Sequence, residues 1–289
     1  MTMLHSTSRL SAGLALAAGL SFGGSCFAVA QESGPLVVGL DFGVVPFGQI
    51  NASGEKEGFS IDLAAALAER LGRPGAEVVD VEFSGMFAAL FAERFEFIIT
   101  PLYITEERAQ QMLYAEPYFP ADSGFVIAQD ATMSSLEDLQ GKVVAVNNGT
   151  RHDGWATDNA EQYGFEVQRY SNVPETIQAV ASGRAFTTVN QSPTMVYAAS
   201  QNDRVKLGFI DYSGGDNFGL AFRKEDVEYR NEVEEILECM KLDGSLQDLY
   251  RKWFGAEPDP KSSLMAIYAG YGAPGFEGYE PTSHVPQCG

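Results

Sequence analysis

Short, continuous apolar runs alternate along this chain with stretches whose apolar residues recur every three to four positions. Leu36-Val37-Val38-Gly39-Leu40 is the first run, of the kind buried on both faces of a sheet, and it ends at Asp41. Phe42 to Phe47 reads as a loop. Gly58-Phe59-Ser60 opens a helix with Ser60 as its cap; Ile61, Ala64, Ala65, Leu67, Ala68 and Leu71 follow at helical spacing, and Gly72 and Pro74 stop it. Val78 to Glu82 is a second strand. Phe83 leads into a helix carrying Met86, Phe87, Leu90 and Phe91, and Phe95 to Thr100 is a third strand. Such alternation over short connections predicts an α/β fold, a parallel sheet flanked by helices.

The alternation restarts after an extended run, Phe125 to Ala128, that reads as a crossing between lobes. Ser135 to Leu139 is a short helix and Val143 to Val146 a strand; Asn147 to Thr150 then turns into a helix through Trp155. Strands at Val167–Tyr170, Phe186–Val189 and Val205–Ile210 enclose helices at Pro174–Ala181 and from Pro193. Phe218 to Phe222 is a second crossing, followed by amphipathic helices at Glu232–Leu242 and Ser245–Trp253. Beyond Gly255 the chain is rich in Gly, Pro and Tyr with little period, which predicts a tail lying over a lobe.

Charge narrows the partners. Lys and Arg number 19 against 39 Asp and Glu, a formal charge of −20, which disfavours nucleic acid and anionic membrane surfaces. The N-terminus reads as a cleavable leader over residues 1–30: Arg9 is the positive region, Leu10 to Phe27 the apolar stretch and Ala28-Val29-Ala30 the cleavage signal, so the mature chain is expected to start at Gln31. Gly23 stands where a lipoprotein signal through Cys26 would want Leu. Export places the protein in an oxidising compartment, where Cys239 and Cys288 either join in one disulfide or stay as a buried and a loose thiol.

Candidate chemistry gathers at Ile98 to Arg108. This stretch leaves a buried strand, turns at Pro101 and enters a helix that Thr105 can cap, with Glu106 and Glu107 in its first turn. A guanidinium one turn into a helix start is either a carboxylate socket or a surface Arg pairing with those acids. Asp41, Phe83 and the Thr100–Arg108 segment all lie at carboxyl ends of predicted strands, where parallel sheets bind ligands, and this convergence favours the socket. Asp41, His152 and Asp153 are the candidates for a general acid, but no nucleophile–His–acid set accompanies them. No CxxC, HExxH or carboxylate cluster suggests a metal, and no strand–GxGxxG–helix suggests a dinucleotide, so no cofactor is expected.

Gly58-Phe59-Ser60-Ile61-Asp62-Leu63, Ile104-Thr105-Glu106-Glu107-Arg108, Asp138-Leu139-Gln140-Gly141-Lys142 with Gly149-Thr150, and Asp243-Gly244-Ser245 with Lys252-Trp253-Phe254-Gly255 stand in an order and spacing that resembles the polar amino-acid class (family 3) of bacterial solute-binding proteins. The resemblance runs from about Leu36 to Gly255. It implies a two-lobed periplasmic binding protein of type II with two crossing hinge strands. The first lobe would comprise residues 35–126 and 217–255 and the second residues 127–216, with a tail at 256–289. It further implies a monomer in the periplasm that closes on a small carboxylate and delivers it to the permease and ATPase of an ABC importer. Some relatives resemble dehydratases of cyclic carboxylates, which keeps an enzyme as the alternative, alongside an accessory or sensor protein.

Carried over residue by residue, Arg108 matches the carboxylate clamp. Pro101 and Tyr103 match positions beside the ligand's α-ammonium, Phe83 falls where an aromatic or large apolar residue packs on the ligand, Phe47 is a further ligand-binding candidate, and Val44 falls where a stacking aromatic is common. Gly149, Thr150 and the unusual Arg151 match the helix start that also holds carboxylate. Gln191 occupies the acidic position that neutralises the ammonium, and Asp41 is the residue that could replace it. A buried ammonium without an anion is costly. The expected ligand is therefore a carboxylate lacking a free α-ammonium, or an ordinary amino acid served by Asp41 or the Tyr103 ring.

Overall fold

The computed structural model describes residues 34–288, apart from the side chains of residues 212–215. The leader expected at residues 1–30 lies outside the described residues. In chain order the elements begin with β1 (Leu36–Leu40), β2 (Gln49–Ile50), β3 (Lys56–Glu57), α1 (Phe59–Arg70), β4 (Ala76–Asp80), α2 (Met86–Phe91), β5 (Phe97–Ile98), α3 (Glu106–Ala109) and β6 (Leu113–Tyr114). They continue with β7 (Phe119–Ala128), β8 (Val143–Asn147), α4 (Arg151–Tyr163), β9 (Glu166–Tyr170), α5 (Val173–Ala181), β10 (Thr187–Gln191) and α6 (Ser192–Gln201). The last are β11 (Val205–Phe218), β12 (Ala221–Phe222), α7 (Val227–Asp243) and α8 (Ser245–Phe254). Short 3₁₀ turns at Phe83–Gly85 and Leu136–Leu139 stand before α2 and β8.

Two five-stranded sheets make two lobes. The first has the order β4-β1-β5-β12-β6 and the second β11-β7-β10-β8-β9. In the first sheet β4, β1 and β5 run parallel, as their apolar runs predict, while β12 and β6 add antiparallel pairs. In the second, β8 lies parallel to β9 and β10, and β7 and β11 form a long antiparallel ladder from Phe119↔Phe218 to Ala128↔Val205. The sequence suggests a strand ending at Ile210 and a separate crossing at Phe218. Instead β11 runs through to Phe218, with its register shifted between Asp211 and Asp216. Its far end therefore reaches the first lobe's core.

That core is aromatic. The Phe47 ring lies 5.1–5.8 Å from those of Phe59, Phe119, Phe218 and Phe254. Phe47 is fully buried there, so its expected ligand-binding role is corrected: it is a packing residue. The helix it packs on starts differently too. Gly58, not Ser60, is the N-cap of α1, at φ 144, and a Cβ there would come 2.2 Å from the Phe47 carbonyl oxygen. Only glycine tolerates both the dihedral and the contact. The Ser60 hydroxyl is spent instead on the Ile99 carbonyl, at 3.0 Å, tying α1 to the strand end that opens the site.

The segment after α8 lies along α7. Cys239 of α7 and Cys288 of the tail form a disulfide. Glu234 of α7 accepts from the Gly272 N–H, Glu238 pairs with His284 at 2.8 Å, and the fully buried Arg230 donates to the Gly278 carbonyl and to Glu280. Beneath them Lys241 Nζ meets Glu116 Oε1 at 2.5 Å, the Pro117 carbonyl at 2.8 Å and the Ala266 carbonyl at 2.7 Å.

Candidate functional site

Strand ends build the site, as the parallel topology requires. Asp41 follows β1, Asn147 ends β8, Gln191 ends β10, and Thr100 to Arg108 leaves β5. Between the lobes they border a partly open cavity lined by residues of both, among them Asp41, Phe83, Arg108, Asn147, Arg151 and Gln191. Val44, Pro101, Tyr103 and Thr150 also face it. The lobes are closed over it: a Cβ on Gly43 of the first would sit 3.0 Å from Pro174 of the second.

Thr105 caps α3 as its sequence predicts, its hydroxyl accepting from the Arg108 N–H at 3.3 Å. The Arg108 side chain is buried, and one Nη donates to the Tyr103 carbonyl at 3.1 Å. Its guanidinium lies 5.3 Å from the Phe83 ring centre and 5.5 Å from that of Phe87. Among the described residues no carboxylate lies within ion-pair distance of it, and Glu107 attracts it only from farther off. Burial draws its pKa down, and Tyr114 and Glu107 partly offset that. A guanidinium does not lose its proton in a protein, so an uncompensated cation faces the cavity.

Opposite charge is scarce. Asp41 is the only acid lining the cavity among the described residues. Its Oδ2 is buried without a hydrogen-bond partner, as is Oδ1 of Asn147 nearby. Burial, with Asp80 beside it, pushes the Asp41 carboxyl up to about 7, against the pull of the Asn147 side chain and the Phe83 N–H. Gln191 is buried at the cavity wall, and its N–H donates to Asn190 Oδ1 at 2.9 Å.

On the second lobe Thr150 caps α4: its hydroxyl donates to the Asn147 carbonyl at 2.8 Å and accepts from the Asp153 N–H at 3.2 Å. Gly149 does not line the cavity. Its N–H is taken by the Asp153 carboxylate at 2.9 Å, so the expectation that it holds ligand is corrected: an internal acid already occupies that donor. Asp153 also pairs with Arg169 at 2.8 Å and is not free for proton transfer. Arg151 pairs with Asp216 of β11 and lies 4.9 Å over the Tyr103 ring. The ring face offered to a ligand cation is therefore already covered by the chain's own.

His152 is buried beside them, Nε2 being 3.3 Å from Tyr103 Oη and 3.4 Å from Ser123 Oγ. Burial, then Arg151 and Arg108, push its pKa down to about 3, so the imidazole is neutral. Tyr103 Oη also donates to the Asp122 carbonyl at 3.3 Å. A phenol has one proton; spent there, it leaves His152 Nε2 as the donor between the two rings. Asn147, Val173 and Asn190 line the cavity without having been singled out by sequence. Asn147 and Asn190 each stand at or within a strand's carboxyl end, and the strand-end rule applied to every strand would have found them.

The profile of bacterial extracellular solute-binding proteins, family 3, matches residues 36–256. This chain belongs to that family. Among curated members it is similar to the L-cystine-binding protein TcyJ of Escherichia coli strain K12, 29% identical over 230 residues, covering 78% of this chain and 85% of that one. Among solved structures it resembles an ancestral arginine-binding protein bound to arginine, with a TM-score of 0.73 and 34% identity over 77% of this chain and 99% of the other. It also resembles an ancestral amino acid-binding protein described as a precursor of cyclohexadienyl dehydratase, with a TM-score of 0.68 and 33% identity over 76% and 96%. The solute-binding fold is thus the two-lobed, type II arrangement expected from the motifs, and the segment after residue 256 lies outside the family match. Among the described residues no helix is long and apolar enough to cross a membrane.

Proposed function

We propose that this solute-binding protein captures a small carboxylate, an amino acid or an amino-acid derivative, in its closed cleft and delivers it to the permease and ATPase of an ABC importer from the periplasm. The observation that carries this is Arg108, a buried guanidinium without an anionic partner, facing a cavity between two closed lobes. A carboxylate there gains charge-assisted hydrogen bonds, and ligand stabilises the closed state by binding it better than the open one. Asp41 takes the part that Gln191 cannot: its orphaned oxygen accepts from the ligand's ammonium, and the approaching cation draws its proton off. Pro101, Phe83, Val44 and Thr150 complete the walls.

A second reading has its own support. The Asp41 carboxyl, raised to about 7, is about half protonated at neutral pH, and Gln191 is neutral, so an N-modified or non-amino carboxylate also meets compatible groups. Binding rather than turnover is supported by the similar proteins, which are named for binding amino acids, and by the engagement of His152 and Asp153, with Asp41 the one candidate general acid left. The names of similar proteins span L-cystine and arginine, so family membership alone leaves the side chain open. Denaturing the purified protein and identifying the released small molecule by mass spectrometry tests the proposal. A carboxylate is expected, and its free or substituted nitrogen separates the two readings. A ligand without a carboxylate overturns both.

A further inference from the structure

We infer that Arg151 sets the charge class of the ligand: it occupies the aromatic face and the carboxylate that a basic side chain would need, so the cleft rejects cationic side chains. This rests on the reading of Arg108 as carboxylate anchor and adds a specificity-determining residue to it.

A basic side chain is recognised by an aromatic face, an acid, or both. Phe83 and Tyr103 are the aromatic rings lining the cavity, and each lies beside a guanidinium of the protein itself: Arg108 at 5.3 Å from Phe83 and Arg151 at 4.9 Å from Tyr103. Asp216, on the strand that joins the lobes, is spent on Arg151. Asp41 is then the one lining acid left, and the reading above gives it to the ligand's own ammonium. Asp122 and Asp211 lie around Asp216 outside the cavity lining, so the positive charge is a property of the cavity wall itself. Arg151 and His152 stand in the first turn of α4, where the helix dipole is positive and the N–H groups lack intrahelical partners. His152 is neutral chiefly because it is buried, and the neighbouring Arg151 and Arg108 guanidiniums add to that. A third cation entering the cavity meets the same repulsion. A neutral side chain does not, and an acidic one can compete with Asp216 for Arg151.

The test is calorimetry on the full mature protein, stripped of ligand by unfolding and refolding, with L-arginine, L-glutamine and their N-acetyl forms. We expect the wild type to bind the arginine member of whichever pair it accepts at least tenfold more weakly than the glutamine member. Arg151→Met should shrink that ratio at least tenfold. Asp216→Asn, which leaves Arg151 uncompensated, should widen it and so separates a charge effect from a loss of packing. Equal binding of arginine and glutamine by the wild type, or a ratio unmoved in Arg151→Met, overturns the inference alone. If all four compounds bind neither wild type nor variants, the anchor reading and this inference fall together. If Arg108→Met binds them as the wild type does, the anchor reading fails whatever the ratio.

Discussion

The cleft and the interface between α7 and the tail both bury charge, and they pair it to different degrees. Along α7, Lys241 has three acceptors, Glu234 accepts from the N–H groups of Glu116 and Gly272, and Arg230 meets two carbonyls and Glu280. In the cleft, Arg108 has the Tyr103 carbonyl and the Tyr114 side chain but no paired acid, while Asp41 Oδ2 and Asn147 Oδ1 have no partner at all. Buried polar groups are ordinarily satisfied from within. Where a fold leaves a cation and two acceptors unsatisfied in one cavity, it has left room for a molecule that completes them. The comparison also separates architecture from function: the paired charges fasten a tail that the family match does not include, Glu238 Oε1 and His284 Nδ1 there being orphans too, whereas the cleft's orphans gather with a cation around one cavity.

The largest effect that would test this contrast is at the satisfied pair. Lys241→Met strands Glu116 in the core and should cost about 3–5 kcal/mol of stability, read by urea unfolding, with ligand affinity unchanged. A loss below about 1 kcal/mol would mean that the α7 network is not what holds the tail. Next, Arg108→Met should behave in the reverse manner. Binding of the co-purified ligand should weaken by about 2–5 kcal/mol in calorimetry, while the unfolding midpoint stays or rises, because an uncompensated buried charge has gone.

The smallest effect at any one pH step sharpens the cleft side alone. Asp41 holds its proton more tightly in the folded protein, near pH 7, than an unfolded Asp does near 4. The native state therefore binds the extra proton between those values, and stability falls as pH rises through that window, by at most about 1.4 kcal/mol per pH unit. Asp41→Asn should flatten that slope in pH-dependent thermal unfolding, leaving the further decline from Glu234, whose carboxyl burial raises to about 8. If the ligand carries an ammonium, wild-type affinity should rise with pH up to about 7, and a flat profile would support an N-modified ligand instead.

Residue pattern alone determined the repeated βα order, the first strand at Leu36–Leu40, the Thr105 cap, and Arg108 with its motif, because periodicity and capping are local and need no distant partner. It also placed Asp41 and Thr100 at strand ends facing the site. It misjudged Phe47, Ser60 and Gly149, since each was decided by something remote in sequence or already engaged: four rings, the Ile99 carbonyl and the Asp153 carboxylate. Arg151 read as an unusual extra cation at a carboxylate-holding helix start, and only the fold, bringing β11 and Tyr103 against the start of α4, paired it. What a residue can offer is written in its side chain, whereas what it has left to offer depends on which neighbours the tertiary fold has already assigned to it.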